Sequence, residues 1–287
     1  MRDINAQIQA LEPEALHERL ATLDRSFQGH DGTGLDEVGI TELFEWMLGN
    51  AHAGKREAAI EAYELLDQAI TDFADRHPEA EATFDFRFEW SILAARFVPE
   101  QRDHFSSLPI YRDLFDLLAT APPSRQHLAV RARLFVMRHQ QYWLDQGGKT
   151  NKLSHEELAW LDELEHGYEE ASDNAMTEAE LRGDSEVVVQ LFRDAAQYYF
   201  FTKAPNDGIA CLKSALEELP NVPGYIPADS AHLMMEIGQV FLSFKKPAIA
   251  LKYFTQAKDI YEAGGEDMEM EAFRAEGWID ECKKHGA

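Results

Sequence analysis

Two Glu-x-x-His motifs, Glu14–His17 and Glu163–His166, are the residues in this 287-residue chain whose types and spacing best suit metal chemistry. Three residues of separation put a carboxylate and an imidazole on one helix face, and di-iron bundles combine two such motifs with two further glutamates. A chain with 31 glutamates and eleven histidines produces about one such motif by chance, and Glu165, Glu169 and Glu170 flank the second as a solvated face would. Gly148-Lys149-Thr150 matches the end of a phosphate-binding loop. The motif also needs a glycine where this chain has Trp143, and a strand where it has a helical pattern. Asp31 to Glu42 has acids at both ends of a twelve-residue loop, but Leu35 and Asp36 stand where calcium requires an oxygen ligand and a glycine. No serine or cysteine sits in a nucleophile motif. The expectation is a protein without catalysis and without a cofactor.

The elements that must carry these residues are helices throughout. Sustained apolar/polar alternation bounded by hairpin turns is missing, so strands are not expected. Residues 1–34 hold one or two helices, with Pro13 at a first helical position, and end in Gln28-Gly29-His30-Asp31-Gly32-Thr33-Gly34. Hairpins follow: residues 36–52 with 55–76, and 80–98 with 103–119. Phe44-Glu45-Trp46 returns as Phe88-Glu89-Trp90 after 44 residues. A third pair joins 125–145 to one long helix over about 155–181, opened by a Ser154/Glu157 capping box. A last helix, 266–284, reads as a cap.

The last third repeats itself. Gly238, Phe241, Ala250, Phe254 and Ala257 recur, with a shift of 42 residues, as Ala196, Tyr199, Gly208, Leu212 and Ala215, closed by Pro220. Small residues at these places let two antiparallel helices approach while aromatics fill the gaps. The pattern resembles the 34-residue tetratricopeptide repeat, clearest over residues 189–264; Gly54 to Tyr63 is a degenerate echo with Arg56 where an aromatic is expected. The resemblance implies an all-α, right-handed α-solenoid of antiparallel hairpins. It would be a single domain over 1–287: 35–181 degenerate hairpins, 183–264 two repeats, 265–287 the cap. It also implies binding rather than catalysis. The family's inner-groove positions fall on Gln190, Arg193, Gln197 and Phe200 in one repeat and His232, Met235, Gln239 and Leu242 in the next. That lining suits a peptide or partner helix. Met235 and Glu236 depart from the clamp that grips chaperone tails.

Composition narrows the partner. A formal charge of -25 disfavours nucleic acid and anionic membranes and favours a basic protein or peptide. No run of 18 uncharged apolar residues suggests a membrane span. The start of the chain lacks a signal-peptide core, and Cys211 and Cys282 sit inside helical patterns, so a cytoplasmic protein with reduced thiols is expected. Residues 154–186 carry twelve acids against Arg182, while Arg125, Arg131, Arg133 and Arg138 stand upstream with no acid among them. One reading packs these helices antiparallel so that they neutralise each other. The other offers Glu163, Glu169, Glu170 and Asp173 as an acidic docking face steered by charge. The function expected is a protein-interaction module using groove and acidic face. An acidic inhibitor or immunity-type protein neutralising a basic effector is the alternative, and a helical metalloenzyme using both Glu-x-x-His motifs a further one.

Overall fold

The computed structural model describes residue 8 and residues 11–97, 108–145, 153–265 and 268–286. Its described residues are 83% helical, in thirteen helices that pack in neighbouring pairs, with no strand among them. They fall into two compact units, Met1–Ala132 and Arg133–Ala287, divided inside a helix where composition marks no boundary.

In the first unit α1 (Pro13–Phe27) places Leu16, Leu20, Leu23 and Phe27 on one stripe at helical spacing, and all four are buried. The stripe meets Ile40, Leu43, Phe44 and Met47 of α2 (Glu37–His52) and Leu66, Ala69, Ile70 and Phe73 of α3 (Arg56–Arg76) in one core. α4 (Glu81–Phe97) and α5 (Leu108–Leu118) form the next pair, and α6 (His127–Asp145) follows a short 3-10 turn. Of the echoed aromatics, Phe44 and Phe88 are each 1% exposed, whereas Trp46 is buried and Trp90 only half-buried.

The glycine-rich stretch before α2 is tied down by acids. Asp31 Oδ1 accepts from the Thr33 N–H and hydroxyl, Asp36 caps α2 by accepting from Gly39 N, and Asp72 of α3 accepts from Gly34 N. Those donors hold the Asp31 and Asp72 carboxyls below their ordinary range. Gly32 has φ of +83° and lies so close to α3 that a Cβ would stand 2.9 Å from the Leu65 carbonyl oxygen. Arg76 pairs with Asp72 and donates to the Leu35 carbonyl. The acids of this loop are therefore structural: they cap and brace, and Glu42 at its far end faces Arg19 of α1 at 3.3 Å.

The second unit begins within α6 and continues as α7 (His155–His166), α8 (Tyr168–Arg182), α9 (Ser185–Phe201), α10 (Pro205–Glu218), α11 (Pro227–Ser243), α12 (Pro247–Ala263) and α13 (Glu269–Lys284). The expected long helix over 155–181 is two helices. Gly167 ends one and opens the other, at φ −83° and ψ 2°, with Arg133 so close that a Cβ there would stand 3.1 Å from its Nη1. The Ser154/Glu157 capping box is present, with Glu157 N donating to Ser154 Oγ over 3.1 Å and Ser154 N to Glu157 Oε2 over 2.7 Å.

Two hairpins, α9/α10 and α11/α12, carry the repeat, and both bury its small residues: Ala196, Ala215, Ala250 and Ala257 are 0% exposed. Each hairpin closes through a glycine facing an aromatic ring. A Cβ on Gly208 would lie 2.5 Å from Phe200 Cε1, and one on Gly238 would lie 2.6 Å from Phe254 Cε1. The first glycine sits on the second helix of its hairpin and the second on the first helix, so the same close approach is made from opposite sides. α13 covers α12 with Ala272, Ala275, Ile279 and Cys282, and Trp278 stacks on Phe254 at 5.7 Å.

The turns repeat as well. A backbone N–H reaches back five residues in each: Lys55 to Asn50, Asp184 to Ala179, Ala204 to Tyr199, and Lys246 to Phe241. This is the Schellman closure, which needs a left-handed residue just past the helix. Gly54 and Gly183 supply it in two turns, at φ of +72° and +66°. In the two repeat hairpins it is a lysine, Lys203 at +63° and Lys245 at +56°.

Candidate functional site

The acidic surface is built by α7 and α8. Their buried stripes, Leu161 and Leu164, then Tyr168, Ser172, Ala175 and Ala179, turn the remaining positions outward. Glu163 therefore stands exposed on α7, and Glu169, Glu170 and Asp173 on α8. The kink at Gly167 places these four residues on two helices rather than one.

The four arginines upstream each have contacts of their own. Arg125 meets Asp85 at 2.8 Å and Glu81 at 3.3 Å, both on α4. Arg131 lies over the Phe88 ring, 5.3 Å from its centroid. Arg138 donates to the Gln197 side chain. Arg133 donates to the Leu164 backbone carbonyl at 3.4 Å, and its burial pulls the guanidinium below its usual range against the pull of Glu163. Arg133 thus reaches α7 and feels the Glu163 carboxylate, while Arg125 and Arg131 contact α4 and Arg138 contacts α9. No described residue forms an ion pair with Glu169, Glu170 or Asp173.

A row of tyrosines borders this surface. Tyr168, buried at the start of α8, stacks on Tyr198 of α9 with centroids 4.1 Å apart, and Tyr199 meets Tyr198 edge-on at 5.5 Å. Burial pushes all three phenols up, and the Glu169 carboxylate adds to the rise at Tyr198 and Tyr199. Rings backed by carboxylates in this way can receive an ammonium or guanidinium group on their faces as well as at the acids.

The groove positions lie side by side on α9 and α11, but most already have internal work. Arg193 pairs with Glu236 at 3.1 Å, Gln190 donates to Asp194 at 2.9 Å, and Gln197 is held by Arg138. Phe200 fills the gap over Gly208 and tilts against Phe244, and His232 leans on Tyr261 at 5.4 Å. Met235 and Leu242 are half-buried against the core of the two hairpins, leaving Gln239 as an exposed position without such a contact.

Glu14 and His17 are exposed on α1, Glu163 and His166 on α7, and among the described residues no group of three or more His, Cys, Asp and Glu is placed to hold a metal ion. His166 instead turns back to its own helix, its Nδ1 2.8 Å from the Asp162 carbonyl, which raises its pKa. Gly148-Lys149-Thr150 lies outside the described residues. Cys211 and Cys282 are both free thiols. No described helix is long and apolar enough to cross a membrane.

What sequence reasoning missed is the pair of left-handed lysines and the exposed aromatic beside one of them, Phe244, at 41% exposure. The signal was available: Lys203 and Lys245 stand 42 residues apart, the period of the repeat, just past each first helix.

No family model matches the chain, and no curated protein matches it. Among solved structures, a "circular tandem repeat protein with novel repeat topology and enhanced subunit contact surfaces" aligns over 95% of this chain at 14% identity and a TM-score of 0.26. The chain spans 64% of that protein's length. At that TM-score the likeness carries no argument about this chain, which leaves the packed helical hairpins themselves as the ground for any functional reading.

Proposed function

We propose that this chain is a non-catalytic protein-interaction module, a tetratricopeptide-like stack that docks a basic protein or peptide on the acidic face of α7 and α8. The observation that carries the reading is the exposure of Glu163, Glu169, Glu170 and Asp173, the last three without an ion pair from any described residue. Tyr198 and Tyr199 add aromatic anchors beside the carboxylates, the residue type that dominates interface energetics. Association on such a face is steered by charge and weakened by salt. The groove of α9 and α11 is the weaker surface, because Arg193, Gln197 and Phe200 would each have to leave an internal partner to bind. Neutralisation of a basic effector is one use of the same face.

The test is affinity capture from a lysate of the native host, washed at low and high salt, with the retained proteins identified by mass spectrometry. Reversing Glu163, Glu169 and Glu170 to lysine should release a basic partner that high salt also releases. A partner that survives both treatments and is lost on Arg193→Ala or Met235→Ala moves the site to the groove.

A further inference from the structure

The turn end of the two repeat hairpins is basic in an otherwise strongly acidic unit. Lys203, Lys245 and Lys246 gather there, in a protein with 52 acids against 27 bases, and no described residue forms an ion pair with any of them. Three of the other described lysines are paired, Lys258 with Glu276 at 3.3 Å, Lys283 with Asp280 at 3.0 Å and Lys284 with Glu281 at 3.3 Å. The two turns are neighbours, since Phe200 and Phe244 meet across them at 6.4 Å. Beside the lysines in sequence stand exposed apolar side chains, Phe244 at 41% and Ile249 at 38%. Lys203 and Lys245 also occupy backbone conformations that favour glycine, which the Gly54 and Gly183 turns use. A chain that keeps lysine twice where glycine closes the same turn with less strain is keeping the side chain.

The opposite end of the α9/α10 hairpin offers the complement. A cleft of about 410 Å³ opens there, lined by Glu180, Asp184, Glu217 and Glu218, with Val188 and Phe192 as its apolar residues. Arg182 offsets part of that charge, lying 3.9 Å from Asp184. The seventeen residues of α9 separate the two ends by about 25 Å. One end is thus an apolar knob flanked by ammonium groups, and the other an apolar floor ringed by carboxylates. They face opposite ways along the hairpin and cannot meet within one copy.

We propose that the lysine–Phe244 edge docks into the acidic cleft of a second copy of this chain, giving head-to-tail association. The charge complementarity of the two ends selects that occupant. Each copy keeps one free edge and one free cleft, so the contact is heterologous and adds copies rather than closing on a pair. It is also tuned by salt in two directions. At low ionic strength the net charge of -25 on each copy repels, and at about 1 M the screening length of about 3 Å removes the lysine–carboxylate attraction.

The experiment is sedimentation velocity on the full chain over a hundredfold concentration range. Two variants accompany it, Lys203→Gly/Lys245→Gly and Glu180→Lys/Glu217→Lys. Glycine suits the left-handed turns, so the first variant loses charge without losing the fold, and a Lys203→Asn/Lys245→Asn version serves as its control. The expected result is mass that grows with concentration in the unaltered chain, most strongly at intermediate salt. Each variant alone should be monomeric, and an equimolar mixture should form a one-to-one complex that grows no further, because one supplies the intact cleft and the other the intact edge. A monomeric unaltered chain overturns the proposal, as does association that persists in either variant alone, or a mixture that stays monomeric.

Discussion

Placing a methyl on Gly238 tests the close approach on which the repeat hairpin depends. The added Cβ would lie 2.6 Å from Cε1, 2.8 Å from Cδ1 and 2.9 Å from Cζ of Phe254. That ring is 0% exposed and stacks on Trp278 behind it, so it has nowhere to retreat. Alanine in a helix interior gains about 0.5–1 kcal/mol over glycine, whereas forcing atoms into a filled core costs about 1–3 kcal/mol. The expected balance for Gly238→Ala is a loss of about 1–2 kcal/mol, read as a fall of roughly 2–4 °C in Tm per kcal/mol in a unit of this size. Gly277 of α13 is the internal control, because nothing lies within 4 Å of its added Cβ. There the same substitution should raise the melting temperature. Differential scanning calorimetry of both variants, with Gly238→Ala/Phe254→Leu to create room, decides the matter. If Gly238→Ala stabilises as Gly277→Ala does, or if the smaller ring gives back nothing, the helices do not meet at the glycine and the packing argument fails.

Two further perturbations follow from described features. Lys245→Gly should stabilise: relief of a left-handed residue, worth about 1–2 kcal/mol, exceeds the roughly 0.4–1 kcal/mol that glycine adds to unfolded-chain entropy. A lower denaturation midpoint would show that the turn holds lysine without strain. Burial, helped by Glu271, pushes the Tyr261 phenol from an ordinary 10.0 up to about 12. The unfolded chain therefore loses that proton first, so its contribution is intact below pH 10 and is lost as pH climbs through about 12. Tyr261→Phe should make the alkaline fall in stability shallower, and unchanged steepness in denaturant titrations across that window would assign the fall to other groups.

Much of the helical frame was legible because it rests on local rules. Asp36 precedes α2, Ser154 and Glu157 mark the start of α7, and the small residues of the repeat recur at fixed spacing. What was not legible depended on which surfaces meet. The break at Gly167 ends in neither a left-handed turn nor a proline, and its close neighbour, Arg133, lies 34 positions upstream. Arg125 and the arginines of α6 read as counter-charges to the acidic segment because the two stretches are adjacent in the chain. Arg125 and Arg131 meet α4, about 40 residues back, which no pattern in the helix itself could indicate. The groove positions fall on α9 and α11, but the internal contacts made by Arg193, Gln197 and Phe200 are properties of the packed hairpins and not of their spacing.

The pairing of chain neighbours bears on how this protein reaches its fold. The closest helix contacts join α2 to α3, α9 to α10, α11 to α12 and α12 to α13, so the loops closed in making them are short. Low contact order of this kind favours rapid folding, since little loop entropy is spent before contacts reward it. Each hairpin can nucleate by itself and recruit the next. α11, α12 and α13, joined where Phe254 of α12 lies against Gly238 of α11 and stacks on Trp278 of α13, form the natural kernel of the second unit. Amide exchange should then grade outward from Phe254 in steps the length of a hairpin rather than vanish in one global opening.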